Sequence, residues 1–357
     1  MKKNFFLGIP LLFLAGCLSK EEISKDDNLP DIKVTCVFPN EHTSETLKSG
    51  VVVKKRSDNQ YLFLGDILLS DKDLKLLDET GSLLTQEDIN YDPKQQELTS
   101  TPISPQAGML QYSMIQPRAV SYSSNIPRFW TMLRYKFAEN ITPSQKQAIL
   151  DAIHYIEKET NARFYDATNE PDKHPLGFSY PNVVFTAANK NESYVGKKGG
   201  NQPLYLFNFT KGVICHEICH ALGMFHEQSR SDRDEYINVL YENILPQYHD
   251  QFQKLPYNYY KSEKFDFNSV MLYGSDYFVN NIYKYSMTKK NGQPFEAQRN
   301  GLSEIDRKWI NTFYLPYVGG KEICIKLDRK MYDRNNQLLS ENEVRLLEME
   351  LNRGRCF

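Results

Sequence analysis

His216-Glu217-Ile218-Cys219-His220-Ala221-Leu222-Gly223-Met224-Phe225-His226-Glu227-Gln228 carries the pattern H-E-x-x-H-x-x-G-x-x-H, and each fixed letter has a mechanical reason. His216 and His220 are four apart, so on a helix they project from one face as a pair of zinc ligands. Glu217 lies between them, placed to take a proton from a water at the metal. Gly223 lets the helix stop and the chain turn, because glycine tolerates positive φ at a helix end. The turn returns His226 as a third ligand. Three nitrogens leave a fourth position for water, the arrangement of a catalytic rather than a closed structural zinc site, with one Zn2+ per chain. The chain has seven histidines, and three of them fall inside this one short motif, so composition does not account for the cluster.

Working outward, the 357 residues are 40% apolar and 25% charged with a formal net charge of −2. That balance is globular, suggests about two domains, and offers nothing to attract nucleic acid. At the N-terminus Lys2 and Lys3 precede an apolar run from Phe5 to Leu14, closed by Leu14-Ala15-Gly16-Cys17. The run is shorter than the ~20 residues a membrane-spanning helix needs. Its ending resembles a bacterial lipobox, so residues 1–16 read as a signal peptide and Cys17 as the lipidated first residue of a membrane-anchored protein. The polar stretch after it, with Lys20-Glu21-Glu22, reads as a tether and resembles a surface-export signal of lipoproteins. This implies an extracytoplasmic protein, anchored to the outer membrane or surface of a Gram-negative bacterium.

Residues 17–118 form the tether and a pro-segment. Its short apolar runs, broken by polar stretches, do not suggest a stable core of their own. From about Ile126 the pattern is denser. Thr142-Pro143-Ser144-Gln145 starts a helix whose apolar face is Ala148, Ile149, Ala152, Ile153 and Ile156. Asn182–Phe185 and Pro203–Phe207 read as strands. Ser340-Glu341-Asn342-Glu343 is a capping box opening a last helix to about Arg353. Setting Cys17 aside leaves Cys36, Cys215, Cys219, Cys324 and Cys356. Cys215 and Cys219 suit small buried apolar positions behind the metal helix. Whether Cys324 and Cys356 pair is left open.

The chain resembles the astacin family of zinc metalloproteases, within the metzincins. The match lies in the zinc motif; in His226-Glu227-Gln228-x-Arg230-x-Asp232-Arg233-Asp234-x-Tyr236 after it; in Ser193–Gln202 before it; in the Met-turn Ser269-Val270-Met271-Leu272-Tyr273-Gly274; and in Gln298-Arg299-x-Gly301-Leu302-Ser303-x-x-Asp306. The resemblance implies an α+β fold: a two-lobed metzincin domain over residues 119–318, with a twisted sheet and long helices above and an irregular lower lobe holding the Met-turn. It implies a zinc-dependent endopeptidase acting on protein or peptide substrates, with Glu217 as general base. Met271 would lie beneath the metal site. Tyr273 would be a further ligand that swings away and stabilises the oxyanion. Glu227 would meet the new N-terminus after a cut near Arg118, by an activating protease or by self-cleavage. Phe63-Leu64-Gly65-Asp66 resembles the F-x-G-D motif of the family's pro-segments, which makes Asp66 the zinc ligand of a zymogen. Asn161, Asn191 and Asn208 stand where the family has cysteines, and Leu272 where it has a histidine. Residues 319–357 resemble nothing in the family. Lys284, Lys289 and Lys290 lie in the loop from Val279 to Gln298, where they would suit an acidic residue after the cut. The competing class is a non-enzymatic surface lipoprotein with a structural zinc; Glu217 and Tyr273 have no purpose there.

Overall fold

The computed structural model describes residues 42–83, 129–173, 177, 179–256, 264–318 and 324–352. Cys17, the tether, Arg118 and the expected new N-terminus lie outside these residues.

The centre of the molecule is the helix α3 (Lys211–Leu222), in which every residue from Ile214 to Leu222 is buried. A helix buried on all sides is read as a core element rather than a surface one. It packs against α2 (Pro143–Glu159), which begins where the sequence indicated. The Thr142 side chain accepts from the Gln145 backbone, the Gln145 side chain returns the bond, and Pro143 occupies the first turn. Such a box satisfies two of the amide donors a helix start leaves unpaired. The buried face of α2 is Ile149, Ala152, Ile153 and Ile156.

Both helices cover a nine-stranded mixed sheet. Its strands are β1 (His42–Thr46), β2 (Val52–Arg56), β3 (Tyr61–Phe63), β4 (Ile67–Leu69), β5 (Leu133–Phe137), β6 (Phe164–Asp166), β7 (Asn182–Ala187), β8 (Glu192–Tyr194) and β9 (Asn201–Leu206). They lie in the order β1-β2-β3-β4-β8-β9-β7-β5-β6. Leu133, Tyr135, Val183, Phe185, Leu204 and Leu206 close the core against α2 and α3. The fold is α+β, as expected.

Residues 42–83, which the sequence assigned to a pro-segment, carry more structure than the sequence suggested. Residues 42–83 are folded: β1 to β4 form an antiparallel meander, followed by α1 (Asp71–Thr80) with its own capping box at Ser70 and a left-handed Gly81 at its end. Its core is Val53, Phe63, Leu64, Ile67, Leu69, Leu77 and Leu83, but Val195 and Leu255 of the catalytic part complete it. The segment has no core independent of the rest, as the sequence suggested, but its strands and helix were not foreseen, because part of the apolar surface that stabilises them is lent by residues far along the chain. β4 pairs in parallel with β8, Ile67 opposite Ser193, and so extends the sheet at its free edge.

Below the sheet lie irregular turns, 3-10 segments and the two-stranded ribbon of β10 (Ile237–Val239) with β11 (Met287–Lys289). A separate apolar cluster holds this lobe together, with Phe252, Phe265, Leu272, Tyr273 and Met287. α4 (Glu304–Phe313) closes it, capped by Ser303 and Asp306. Residues 324–352 end in α5 (Glu341–Leu351), capped by Ser340 as read from sequence. They pack on the domain through Leu327, Met331 and Val344 against Tyr317. Cys324 is disulfide-bonded, Cys356 lies outside the described residues, and Cys215 and Cys219 are free and buried. Among the described residues, no helix is long and apolar enough to cross a membrane.

Candidate metal centre and active site

His216 and His220 lie on α3, one turn apart. Gly223 ends that helix in the left-handed region, φ 113°, and donates back to Cys219 and His220. A Cβ there would come within 3.2 Å of the Phe129 ring, so both the backbone and the packing demand glycine. The chain then reverses and brings His226 to the other two. The three rings lie 4.8 to 5.2 Å apart, centroid to centroid.

Two backbone carbonyls orient the imidazoles. His216 Nδ1 donates to Val270 O at 2.8 Å and His220 Nδ1 to Met224 O at 2.8 Å. A proton held on Nδ1 leaves the Nε2 lone pair for a metal. Burial pushes the His216 pKa down to about 3 and also lowers that of His226, which keeps both neutral. Neutral imidazole is the ligating form.

Into this centre the turn before β4 delivers Asp66. Its Oδ2 lies 3.1 Å from His226 Nε2 and 3.4 Å from His216 Nε2, and its Oδ1 lies 3.5 Å from His220 Nε2. Gly65 makes the approach possible: its φ is +100°, and a Cβ would meet Gln251 Oε1 at 2.5 Å. The four ligand atoms lie within 4.8 Å of one another. Asp66 Oδ1 and His220 Nε2 are buried without a hydrogen-bond partner. Buried polar atoms left unpaired are costly unless something binds them. Three imidazoles and a carboxylate form a donor set that suits zinc.

Glu217 is 2% exposed on the same helix, and its Oε2 has no hydrogen-bond partner. Burial, and then the Asp66 charge, push its pKa well above the ordinary value. Tyr273 is buried against the His226 ring, with centroids 4.7 Å apart. Its hydroxyl donates to the Leu64 carbonyl at 3.5 Å, so residues 42–83 reach the position the hydroxyl faces. Met271 is buried in the turn beneath, where its carbonyl accepts from Glu227 N at 3.1 Å. Glu227 accepts from Arg230 at 3.0 Å and from Asp266 N at 2.8 Å. Burial raises the Glu227 pKa to about 7, with Arg230 opposing.

Sequence reasoning gave no role to Asp306. Its carboxylate accepts from Ser269 Oγ at 2.7 Å and Val270 N at 2.9 Å. It thereby fixes the turn whose Val270 carbonyl holds His216. The signal was present as the capping box Ser303-x-x-Asp306, whose acid serves a helix start and the Met-turn at once. Gln228 is a second such residue, its Oε1 accepting from Tyr273 N at 3.2 Å.

Three histidines converging on one point of a buried helix, with a glutamate one residue from the first, are the layout of a metallopeptidase. The family model for Astacin, a peptidase family, matches residues 122–315, more than half of the chain. The chain belongs to the astacin family of zinc metalloproteases. It is 36% identical over 185 residues to zinc metalloproteinase nas-14 of Caenorhabditis elegans, covering 50% of this chain and 35% of that protein. It is 33% identical over 187 residues to high choriolytic enzyme 1 of Oryzias latipes, covering 51% and 66%. The solved structure of that hatching enzyme zinc-protease aligns with a TM-score of 0.48 at 30% identity, over 56% of this chain and 98% of that one. The chain spans less than two thirds of the curated relatives it matches, 35% of nas-14 and 42% of nas-4.

Proposed function

We propose that this chain is a zinc-dependent endopeptidase that hydrolyses peptide bonds in proteins, and that it is made as a latent precursor. The observation that carries the reading is the convergence of the His216, His220 and His226 Nε2 atoms on one point beside Glu217. His216, His220 and His226 would hold the metal. When bound there, zinc supplies Lewis acidity that lowers the pKa of a coordinated water from 15.7 to about 7. Glu217 takes the proton of the attacking water and passes it to the leaving amine. The Tyr273 hydroxyl donates to the oxygen of the scissile carbonyl as charge builds on it. The test is hydrolysis of casein with and without a chelator. Chelator-sensitive cleavage is expected; a chain that never cleaves casein after activation, though it holds zinc, would favour the non-enzymatic surface lipoprotein.

Latency is assigned to Asp66. Its carboxylate lies 3.1 Å from His226 Nε2, where it would take the place of the attacking water, and the Tyr273 hydroxyl donates to the Leu64 carbonyl. Asp66→Ala should give an uncut chain with early activity on short peptides. Equal latency in variant and wild type would leave steric cover by residues 42–83 as the explanation. The maturation cut is proposed near Arg118. Membrane anchoring through a lipidated Cys17, on the outer membrane or cell surface, rests on the Leu14-Ala15-Gly16-Cys17 sequence. Loss of the membrane-bound fraction in Cys17→Ala would support it, and an unchanged fraction would refute it.

A further inference from the structure

Asp250 lies in the 3-10 segment Pro246–Phe252 of the lower lobe. That segment approaches the metal centre through two of its residues. Its Gln251 touches Gly65, the residue before Asp66. Its Phe252 packs edge-on against Tyr273, with centroids 6.4 Å apart. Asp250 therefore borders the cleft that residues 42–83 fill. A buried carboxylate in such a place is tolerated only with a partner. Its partner is Lys54 of β2, with Nζ 3.0 Å from Oδ1 and both side chains under a tenth exposed. The same ammonium lies 4.9 Å from the centre of the Tyr248 ring. A carboxylate and an aromatic face around one cation make a built pocket for an alkylammonium or guanidinium.

What happens to this pocket on activation separates it from its neighbour. Glu192 on β8 also receives a cation from β2, Arg56 at 2.8 Å. It has a second partner in Lys190 of its own domain, at 3.1 Å. Asp250 has none: among the described residues its one ion pair is to Lys54, and its Oδ2 is buried without a hydrogen-bond partner. Removing the pro-segment leaves Glu192 with an ion-pair partner and Asp250 with its own backbone amide and the adjacent His249 but no ion pair among the described residues, at the edge of the cleft.

We propose that Asp250, with Tyr248, is a substrate subsite for a basic side chain, lysine or arginine, of the peptide being cut, and that Lys54 fills it in the uncut chain. This rests on the peptidase reading above. It is separate from the acidic residue after the cut that the basic loop suggested, since the two would be different residues of the substrate. Lys289 there lies over the Phe267 ring at 5.0 Å, and Lys290 donates to Asn238 at 3.0 Å, so both are engaged within the lobe.

The experiment uses the chain cut near Arg118 and separated from its pro-segment. Fluorogenic peptides carry one lysine, moved a position at a time along a neutral sequence. Each has a partner with norleucine, which keeps the stem and removes the charge. The readout is the lysine-to-norleucine ratio of kcat/KM at each position, for wild type and Asp250→Asn. At one position the wild-type ratio should be about tenfold or more, worth roughly 1.4 kcal/mol, and the variant should bring it close to one. Asp250→Lys should invert the preference towards glutamate at that same position. No lysine preference anywhere, or an equal preference in Asp250→Asn, overturns the proposal. The same peptide pairs are titrated by fluorescence anisotropy onto the Glu217→Ala chain, cut near Arg118 by an added protease and separated from its pro-segment in the same way. If nothing is cleaved but the binding ratio behaves as stated, the peptidase reading fails and the subsite stands. If cleavage is normal and both ratios are flat, the subsite alone fails. Should Asp250→Asn not fold, a flat wild-type ratio still refutes it.

Discussion

Asn161→Ala should destabilise the chain well beyond the loss of one surface amide. Asn161 is fully buried. Its side chain donates to Tyr332 O at 2.7 Å and accepts from Tyr332 N at 2.8 Å, which bolts the C-terminal segment to the end of α2. Alanine leaves both backbone groups of Tyr332 unpaired in a half-buried place. A buried polar group stripped of its partner costs roughly 1–3 kcal/mol. Two of them, at the low end because Tyr332 is partly solvated, come to about 2–4 kcal/mol. For a domain of this size each kcal/mol moves the midpoint by about 2–4 °C. The expected fall is therefore about 5–15 °C, measured by calorimetry on the uncut chain at neutral pH. Hydrogen exchange at the Tyr332 amide should accelerate in parallel, while peptidase activity measured well below the midpoint should hold. A midpoint shift of less than about 2 °C would refute the reasoning and leave the apolar contacts of Leu327, Met331 and Val344 as the real attachment.

Glu217→Ala should retain zinc and lose about 10²–10⁴ of its turnover, whereas His220→Ala should lose metal and activity together; metal analysis beside casein hydrolysis separates them. Tyr273→Phe should lower kcat by about 10²–10³ with a smaller change in KM, and an unchanged kcat would reduce Tyr273 to a packing residue. Burial holds the Glu192 pKa up at about 7, against Lys190 and Arg56. A folded pKa above the unfolded one means that this group favours the folded state at pH 4–5 and loses that advantage as pH rises through 7. Glu192→Gln, which mimics the protonated form, should therefore gain on wild type between pH 5 and 8, by an amount on the order of 3 kcal/mol, read from urea midpoints of the uncut chain; a constant difference would show that Glu192 does not titrate in that window.

The metal helix was legible because its information is local. His216, Glu217 and His220 are fixed by helical spacing, and Gly223 by the turn that must follow. Asp66 was legible only as a motif, since nothing near it indicates a segment reaching the zinc ligands from 150 residues away. The fold around it was not legible. β3 and β4 are three residues each, too short to show a period, and their apolar faces meet Val195 and Leu255. The carbonyls of Val270 and Met224 that orient His216 and His220 have no sequence signature at all. Ser340 announced α5 through its capping box, but its docking depends on Asn161 and Tyr332, 171 residues apart.

The asparagines that stand where the sequence resemblance would place cysteines each hold a stretch of backbone. Asn191 Oδ1 accepts from Phe207 N at 2.8 Å and Asn208 N at 3.1 Å, which ties the turn before β8 to the end of β9 where a disulfide would otherwise hold it. Asn208 Oδ1 accepts from Thr210 N and shapes the entry to α3. Asn161 holds Tyr332. The two solutions act on different states. A disulfide stabilises chiefly by restricting the unfolded chain, whereas these amides act only in the folded one, each by satisfying backbone groups that burial would otherwise leave unpaired. The burden on native packing is correspondingly larger, and the extra material is where the structure puts it. Residues 324–352 cover the end of α2 and the flank of α4, and Asn336 reaches across to bond Asn311 and the Glu304 carbonyl. The segment that resembled nothing in the family thus reinforces the end of α2 at Asn161, one of the positions where the resemblance had implied a cysteine.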